Sequence, residues 1–292
     1  MSFAYNYTSI IQKPQLQFTH ILIAFLIILW YTIYMFSFIY KNIDFAHKLD
    51  GQSSPTEEYY KHIHPFYEIL YFLKGNVQYT VESETRTLNE GDIVFIPAYK
   101  YHFATVDLSV PYERYVLKLP ESLVPHYISA KLAKNSPFYV NSRKFGMTFG
   151  QLDTYMQTFS NDEIYTLFTS EVSKLMVMLC HETTENVSKH NDFIKSVIDY
   201  INQNVRNPIT TQTLAEEFHY SKSFINFEFK KHMKIPIMQF VRSKKIMAAH
   251  QMILSGAKKS EVAEMFGFDT YSTFFRAYKK LINEPGEASE HS

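Results

Sequence analysis

The sequence predicts an α+β chain. A β-barrel or jelly roll with helices after it comes first, and an all-helical C-terminal segment of two helix-turn-helix units joined by a linker helix follows. Three observations predict this. Between Tyr59 and Leu119, short runs alternate apolar and polar residues and are broken at Gly and Asn. Beyond Pro120 the apolar residues recur at three- and four-residue spacing. From Phe193 onward, a short helix, a tight turn and a second helix occur together twice.

Composition bounds the reading. The 292 residues are 46% hydrophobic, 16% aromatic and 20% charged, which excludes a disordered chain and leaves room for about two domains. A single cysteine, Cys180, excludes a disulfide framework and any zinc site built on several thiolates. The whole chain is neutral, but its charge is divided. Phe193–Ser292 holds fourteen Lys/Arg against ten Asp/Glu, and three of those acids lie in the last nine residues. A basic module joined to a slightly acidic one points to nucleic acid.

The first 50 residues read as an N-terminal extension. Within it Ile21–Tyr40 runs for 20 residues without Asp, Glu, Lys or Arg, the length of a membrane span. Trp30, Tyr31 and Tyr34 lie inside the run rather than at its ends, away from where an aromatic belt sits. Three readings stay open: a membrane anchor with the C-terminus inside, a buried helix, or an upstream extension ahead of a start at Met35. Residues 51–120 form the β domain. Its strands are expected at Glu68–Leu73, Val77–Glu82, Arg86–Asn89, Ile93–Pro97, Phe103–Val106 and Tyr112–Leu117. Residues 121–190 form a helical dimerisation and linker region. Its main helix is capped at Asp162 and runs to about Cys180. Ile164, Phe168, Val172, Leu175, Met176 and Leu179 line one face, as core or as a dimer seam.

Residues 193–285 carry the function. The first unit is Leu214–Phe218, the turn His219-Tyr220, and Ser221–Lys230. The second is Val262–Phe266, the turn Gly267-Phe268, and Asp269–Lys280. Ser221 and Asp269 are placed to cap the second helix of each unit, because their side-chain oxygens accept the free N–H groups of the first turn. Such a helix enters the major groove N-terminal half first. The run Ala263…Gly267-Phe268-Asp269…Ser272…Phe275-Arg276…Tyr278-Lys279-Lys280…Pro285 resembles the AraC/XylS family of bacterial transcription regulators. Ala215…Tyr220-Ser221…Phe229-Lys230-Lys231 matches that family's first motif. The resemblance implies a cytoplasmic, dimeric regulator that binds promoter DNA, a small-molecule effector and RNA polymerase. Membrane attachment through Ile21–Tyr40 is the alternative location.

The cap positions then assign the contacts. Ser223, Asn226 and Phe227 in the first reader helix, and Tyr271, Ser272, Phe275 and Arg276 in the second, face outward. Arg276 is suited to guanine and Asn226 to adenine. Lys222, Lys230, Lys231 and Lys279 are assigned to phosphates. The sequence departs from the family pattern at Phe227, Glu228, Lys245 and Asn283.

In the β domain, His62-x-His64-x3-Glu68-x6-Gly75 and Gly91-x5-Pro97-x4-His102 resemble both halves of the cupin signature. Tyr99 and Val106 replace its Gly and Asn. Three imidazoles and a carboxylate suit a transition metal. The resemblance to AraC-type sensor domains implies none, however, so no cofactor is expected. His62, His64, Glu68 and His102 are read first as lining an effector pocket. The rival class is a metal-dependent cupin enzyme fused to a DNA-binding module. No phosphate loop or nucleophile motif suggests other catalysis.

Overall fold

A computed structural model describes residues 34–52, 62–182, 184 and 189–282. A strand forms at each expected run, although only the first two residues of Arg86–Asn89 belong to one. β1 (Tyr34–Tyr40), β2 (Ile43–Asp50), β8 (Tyr112–Pro120), β3 (Phe66–Lys74), β6 (Ile93–Ile96) and β9 (Phe138–Tyr139) lie side by side in one sheet. β10 (Lys189–His190), β5 (Glu84–Thr87), β4 (Val77–Val81) and β7 (His102–Val106) make a second. Every pairing among them is antiparallel.

Side chains alternate across a strand, so the central strands of the larger sheet supply two cores at once. Ile69 and Tyr71 of β3, with Leu117 and Leu119 of β8, face α1 (His126–Leu132), α2 (Gly146–Tyr155) and α3 (Asn161–Leu179). Leu70 and Phe72 of β3, with Tyr112 and Val116 of β8, face Val77, Tyr79 and Val81 of the second sheet. Glu68 has the parity of Leu70 and Phe72 and is therefore carried to the interior between the sheets. The apolar stripe of α3 is core. All six of its residues are buried against the sheet, and the same helix exposes Val177 and Met178.

Two sequence-based boundaries shift. The sheet reaches back to Tyr34, ahead of the boundary at residue 51. Tyr34–Tyr40 is an edge strand paired with β2 rather than part of a membrane helix. It turns at Lys41 and Asn42, both with positive φ (46° and 65°), and both faces of the hairpin are largely apolar, which hides the period-two pattern of a strand. Residues 1–33 of the extension, including the rest of the apolar run, lie outside the described residues. Among those described, no helix is long and apolar enough to cross a membrane. The second shift is at α3, which is capped by Ser160 rather than Asp162. The Glu163 carboxylate accepts from the Ser160 N–H at 2.9 Å and from its hydroxyl at 2.6 Å. Asp162 sits inside the first turn and instead accepts from Tyr40 Oη and Lys41 Nζ, each at 2.8 Å, which ties the β1–β2 turn to the helix.

The C-terminal segment is wholly helical. α4 (Asp192–Gln203) leads to α5 (Thr211–Phe218), α6 (Lys222–Met233), α7 (Ile237–Leu254), α8 (Lys259–Met265) and α9 (Tyr271–Ile282). Its first half packs round Ile194, Ile198, Leu214, Ile225, Phe229 and Phe240. Ile63, Tyr101 and Phe103 of the β domain join that cluster, so the two parts share a core. The second half has its own core of Ile246, Ala249, Val262, Ala263, Phe266, Phe274 and Tyr278.

Candidate nucleic-acid interface and effector site

The two helix-turn-helix units are built on one turn. In the first, His219 N–H donates to Glu216 O at 3.4 Å and Tyr220 N–H to Ala215 O at 3.1 Å. In the second, Gly267 N–H donates to Glu264 O at 2.9 Å and Phe268 N–H to Ala263 O at 3.1 Å. His219 (φ 58°) and Gly267 (φ 70°) both take the left-handed conformation that this helix ending requires. Glycine takes it freely, whereas His219 does so at some strain.

Beyond the turns the units differ by one residue. The Ser221 hydroxyl accepts from Phe224 N–H at 3.2 Å, as expected. In the second unit Thr270, not Asp269, is the cap: its hydroxyl accepts from Thr273 N–H at 3.1 Å. Asp269 is an extra turn residue. Superposing the caps aligns Ser223 with Ser272, Asn226 with Phe275, Phe227 with Arg276, Lys230 with Lys279 and Lys231 with Lys280. Arg276 therefore occupies the place that Phe227 holds in the first reader.

Every residue expected to meet DNA is exposed: Ser221, Lys222, Ser223, Asn226, Phe227, Lys230 and Lys231 on the first unit, and Tyr271, Ser272, Phe275, Arg276 and Lys279 on the second. The opposite faces, Ile225, Phe229 and Met233 in α6 and Phe274 and Tyr278 in α9, are buried. Phe275, Arg276, Lys279 and Lys280 line an open concavity of about 410 Å³. Lys280 is a basic residue that the sequence reading missed; its alignment with Lys231 is the signal that would have found it. Linker helix α7 holds the second unit directly. Lys245, standing where the family has Arg, donates from Nζ to Phe266 O at 3.0 Å, and His250 Nδ1 meets Tyr278 Oη at 2.7 Å. Glu228 lies half-buried beside Lys231 and His232, 3.5 and 3.6 Å away. Asn283 and Pro285 lie outside the described residues.

The four cupin-like residues do come together. His62 and His102 form an isolated antiparallel bridge, with N–H to O distances of 3.1 Å both ways. Their rings stand 4.1 Å apart, and those of His64 and His102 stand 4.8 Å apart. Glu68 Oε2 is 3.1 Å from His64 Nε2 and 3.8 Å from His102 Nε2. His64, Glu68 and His102 are buried and His62 is half-buried. Burial alone would push the Glu68 carboxyl up. The hydrogen bond to His64 and the charge of Lys118 outweigh it and hold Glu68 well below the ordinary carboxylate range. Burial, reinforced by the neighbouring histidines, holds His102 well below the usual imidazole range, and burial lowers His64 against the pull of Glu68. Tyr79 lines the same interior, its ring stacked on His102 at 6.3 Å. Tyr99, standing where the cupin pattern has Gly, adopts φ 66°, so the turn keeps the shape that favours glycine. Val106 packs with the core between the sheets.

The His64 and His102 imidazoles bind protons less readily folded than unfolded, so unfolding takes up protons in the window below about pH 6.5. Stability is complete above that window and is lost as the pH falls through it. In chelator-treated protein the urea midpoint is therefore expected to drop between pH 7.5 and 5.5, and His102→Gln should flatten the dependence. A midpoint indifferent to pH would contradict the neutral buried imidazoles.

Sequence reasoning also missed the contact between the two parts of the chain. Lys244 of α7 is buried, with its Nζ donating to Glu82 in the β4–β5 turn and to Tyr99 O at 3.0 Å. Lys100 Nζ reaches the other Glu82 oxygen at 2.8 Å. Tyr101 packs edge-on to Phe240 at 5.6 Å. Residues 97–103 thus carry His102 at one end and the contacts to α7 along their length.

Two family profiles match separate stretches of the chain. The profile of the AraC-like ligand binding domain matches residues 50–186, and that of a helix-turn-helix domain matches residues 214–287. The Msm operon regulatory protein of Streptococcus mutans is 24% identical over 230 residues, 75% of this chain and 81% of that protein. The transcriptional regulatory protein HptR of Staphylococcus aureus is 26% identical over 106 residues, 35% of this chain and 42% of that one. Among solved structures, ToxT of Vibrio cholerae aligns over 84% of this chain and 95% of its own at 10% identity, with a TM-score of 0.34.

Proposed function

Because the chain belongs to the AraC family of transcriptional regulators, with a ligand-binding domain ahead of a helix-turn-helix domain, we propose that it reads promoter DNA through the outward faces of α6 and α9. The observation that carries this is the repeated unit: two turns closed by the same pair of backbone hydrogen bonds, two capped helices, and aligned exposed rows ending in Lys230-Lys231 and Lys279-Lys280. The side chains near each cap face base edges and the lysines face phosphates. Phe227 meets thymine methyls rather than hydrogen-bonding groups.

The effector is a small molecule held beside His62, His64, Glu68 and His102. It acts by binding one orientation of the DNA module better than another, which is the only way a ligand shifts such an equilibrium. Residues 97–103 and the Lys244–Glu82 pair are the route between them. The protein acts in the cytoplasm as a homodimer through the exposed face of α3 and engages RNA polymerase at the promoter. It regulates by binding, without chemistry of its own; turnover of an effector by the purified protein would contradict this.

Lys279→Ala separates phosphate contact from base reading. It is expected to weaken binding to all sequences alike and to reduce the slope of log affinity against log salt by about 0.9. Titrations of one operator and one random duplex at several salt concentrations measure it. An unchanged slope would remove Lys279 from the interface.

A further inference from the structure

We infer that Arg86 receives an oxyanion of the effector, so that the small molecule sensed by the β domain is a carboxylate or a phosphate ester. The inference deepens the effector reading above and rests on it. Arg86 lies on β5 directly opposite Tyr79 of β4. Residues opposite one another in an antiparallel pair point to the same face. Tyr79 is buried in the core between the sheets and stacks on His102, so the Arg86 side chain is directed into the same interior. It is only 11% exposed. A guanidinium is an unusual group to place there, since it brings five N–H donors and no acceptor.

Its surroundings leave those donors short. Nε and Nη1 are fully buried and have no hydrogen-bond partner among the described residues. Asp92 Oδ2 stands 3.6 Å from Nε, close enough to balance charge but too far for a hydrogen bond. Asp92 is committed elsewhere: Oδ2 accepts from Asn89 N–H at 2.9 Å and Oδ1 from Asn141 N–H at 3.3 Å. Glu84, on the same face of β5, accepts from Ser136 Oγ at 2.7 Å. Leaving buried donors unpaired is costly, and an oxyanion, which only accepts, offsets that cost with charge-assisted hydrogen bonds that a neutral hydroxyl or amide does not match. The planar fork of arginine fits carboxylate and phosphate oxygens in particular. The strand that carries Arg86 is also joined to the helical part of the chain. Its outer edge pairs with β10, Lys189 opposite Thr85 and His190 opposite Glu84, and β10 runs directly into α4. The turn ahead of it carries Glu82, which holds Lys244 of α7. An anion seated on Arg86 therefore bears on the strand to which the DNA-binding part is attached at two points.

The test uses the full-length chain and an extract of small bacterial metabolites split by anion exchange. Thermal midpoints are measured with the retained, anionic fraction and with the unretained one. The retained fraction is expected to raise the midpoint by several degrees, because a ligand that binds only the folded chain stabilises it, and the unretained fraction to leave it unchanged. Phosphatase treatment of the retained fraction abolishes the rise if the oxyanion is a phosphate ester and spares it if it is a carboxylate. Arg86→Met should lose the response. Arg86→Lys keeps a positive charge beside Asp92 but lacks the fork, so its ligand-free midpoint should stay near that of the unchanged chain while about tenfold more of the fraction is needed for the same rise. A response to the unretained fraction alone, or an undiminished response in folded Arg86→Lys, would overturn the inference and leave the effector reading standing. No response to either fraction would overturn both.

Discussion

Glu82→Gln is expected to lower the unfolding free energy by about 3 kcal/mol, the scale for removing one partner of a buried ion pair. Lys244 is 6% exposed, and among the described residues its ammonium has two hydrogen-bond partners, the Glu82 carboxylate and the Tyr99 carbonyl, and lies over the Phe240 ring. Burial lowers the lysine from its ordinary range, and the attraction of Glu82 opposes that. For Glu82 the two lysines outweigh burial and hold the carboxyl down. Removing the carboxylate leaves a buried charge facing one carbonyl, and Lys244 then sheds its proton more readily. A lysine depressed further below its unfolded value costs stability below that value, so the deficit should shrink as the pH is raised toward 10. Urea unfolding at pH 7 and pH 9.5 measures both parts. The double change Glu82→Leu with Lys244→Leu should recover much of the loss, because neither charge is then stranded. If Glu82→Gln costs less than about 0.5 kcal/mol, the pair is not a structural link between the two parts of the chain.

Arg276→Ala is expected to cost about 1–3 kcal/mol of specific binding and to relax preference at a single base pair. The side chain is exposed on the outward row of α9, and among the described residues its one hydrogen bond runs from Nε to Ser272 O at 3.4 Å. It is the one long, forked donor on either reader face. Its counterpart Phe227 is 64% exposed and offers only apolar contact. The second unit therefore carries more of the sequence preference than the first, and Phe227→Ala should alter specificity less than Arg276→Ala. A competition titration against operators varied one base pair at a time checks this. Full affinity with unchanged preference would mean that the register along α9 is wrong.

The helix-turn-helix units were legible because their signals are local. Ser221, Gly267 and the alternation of buried and exposed positions each act within a few residues. The second cap was missed by one residue because Asp269 and Thr270 are both competent caps. Which oxygen reaches Thr273 N–H depends on the path of the turn, not on residue type. The interior strands could be read from their alternation, whereas β1 and β2 could not. Phe38, Ile39, Phe45 and Ala46 leave little polar contrast between the faces, so the hairpin merges with the apolar run before it. The histidine cluster was readable by spacing, but its tautomers were not, since they depend on the carbonyls of Phe66 and Lys100, which lie 3.0 Å from His64 Nδ1 and 2.9 Å from His102 Nδ1. Lys244 and Glu82 are 162 residues apart, and nothing in either neighbourhood announces the other.

The central claim is that α6 and α9 grip successive major grooves of one duplex. Selection of bound sequences from a random duplex library by the full-length protein tests it most directly. The account predicts one enriched site with two conserved patches about 10 base pairs apart, the stronger one lost in Arg276→Ala. Folded protein that enriches no sequence over random competitor would contradict it.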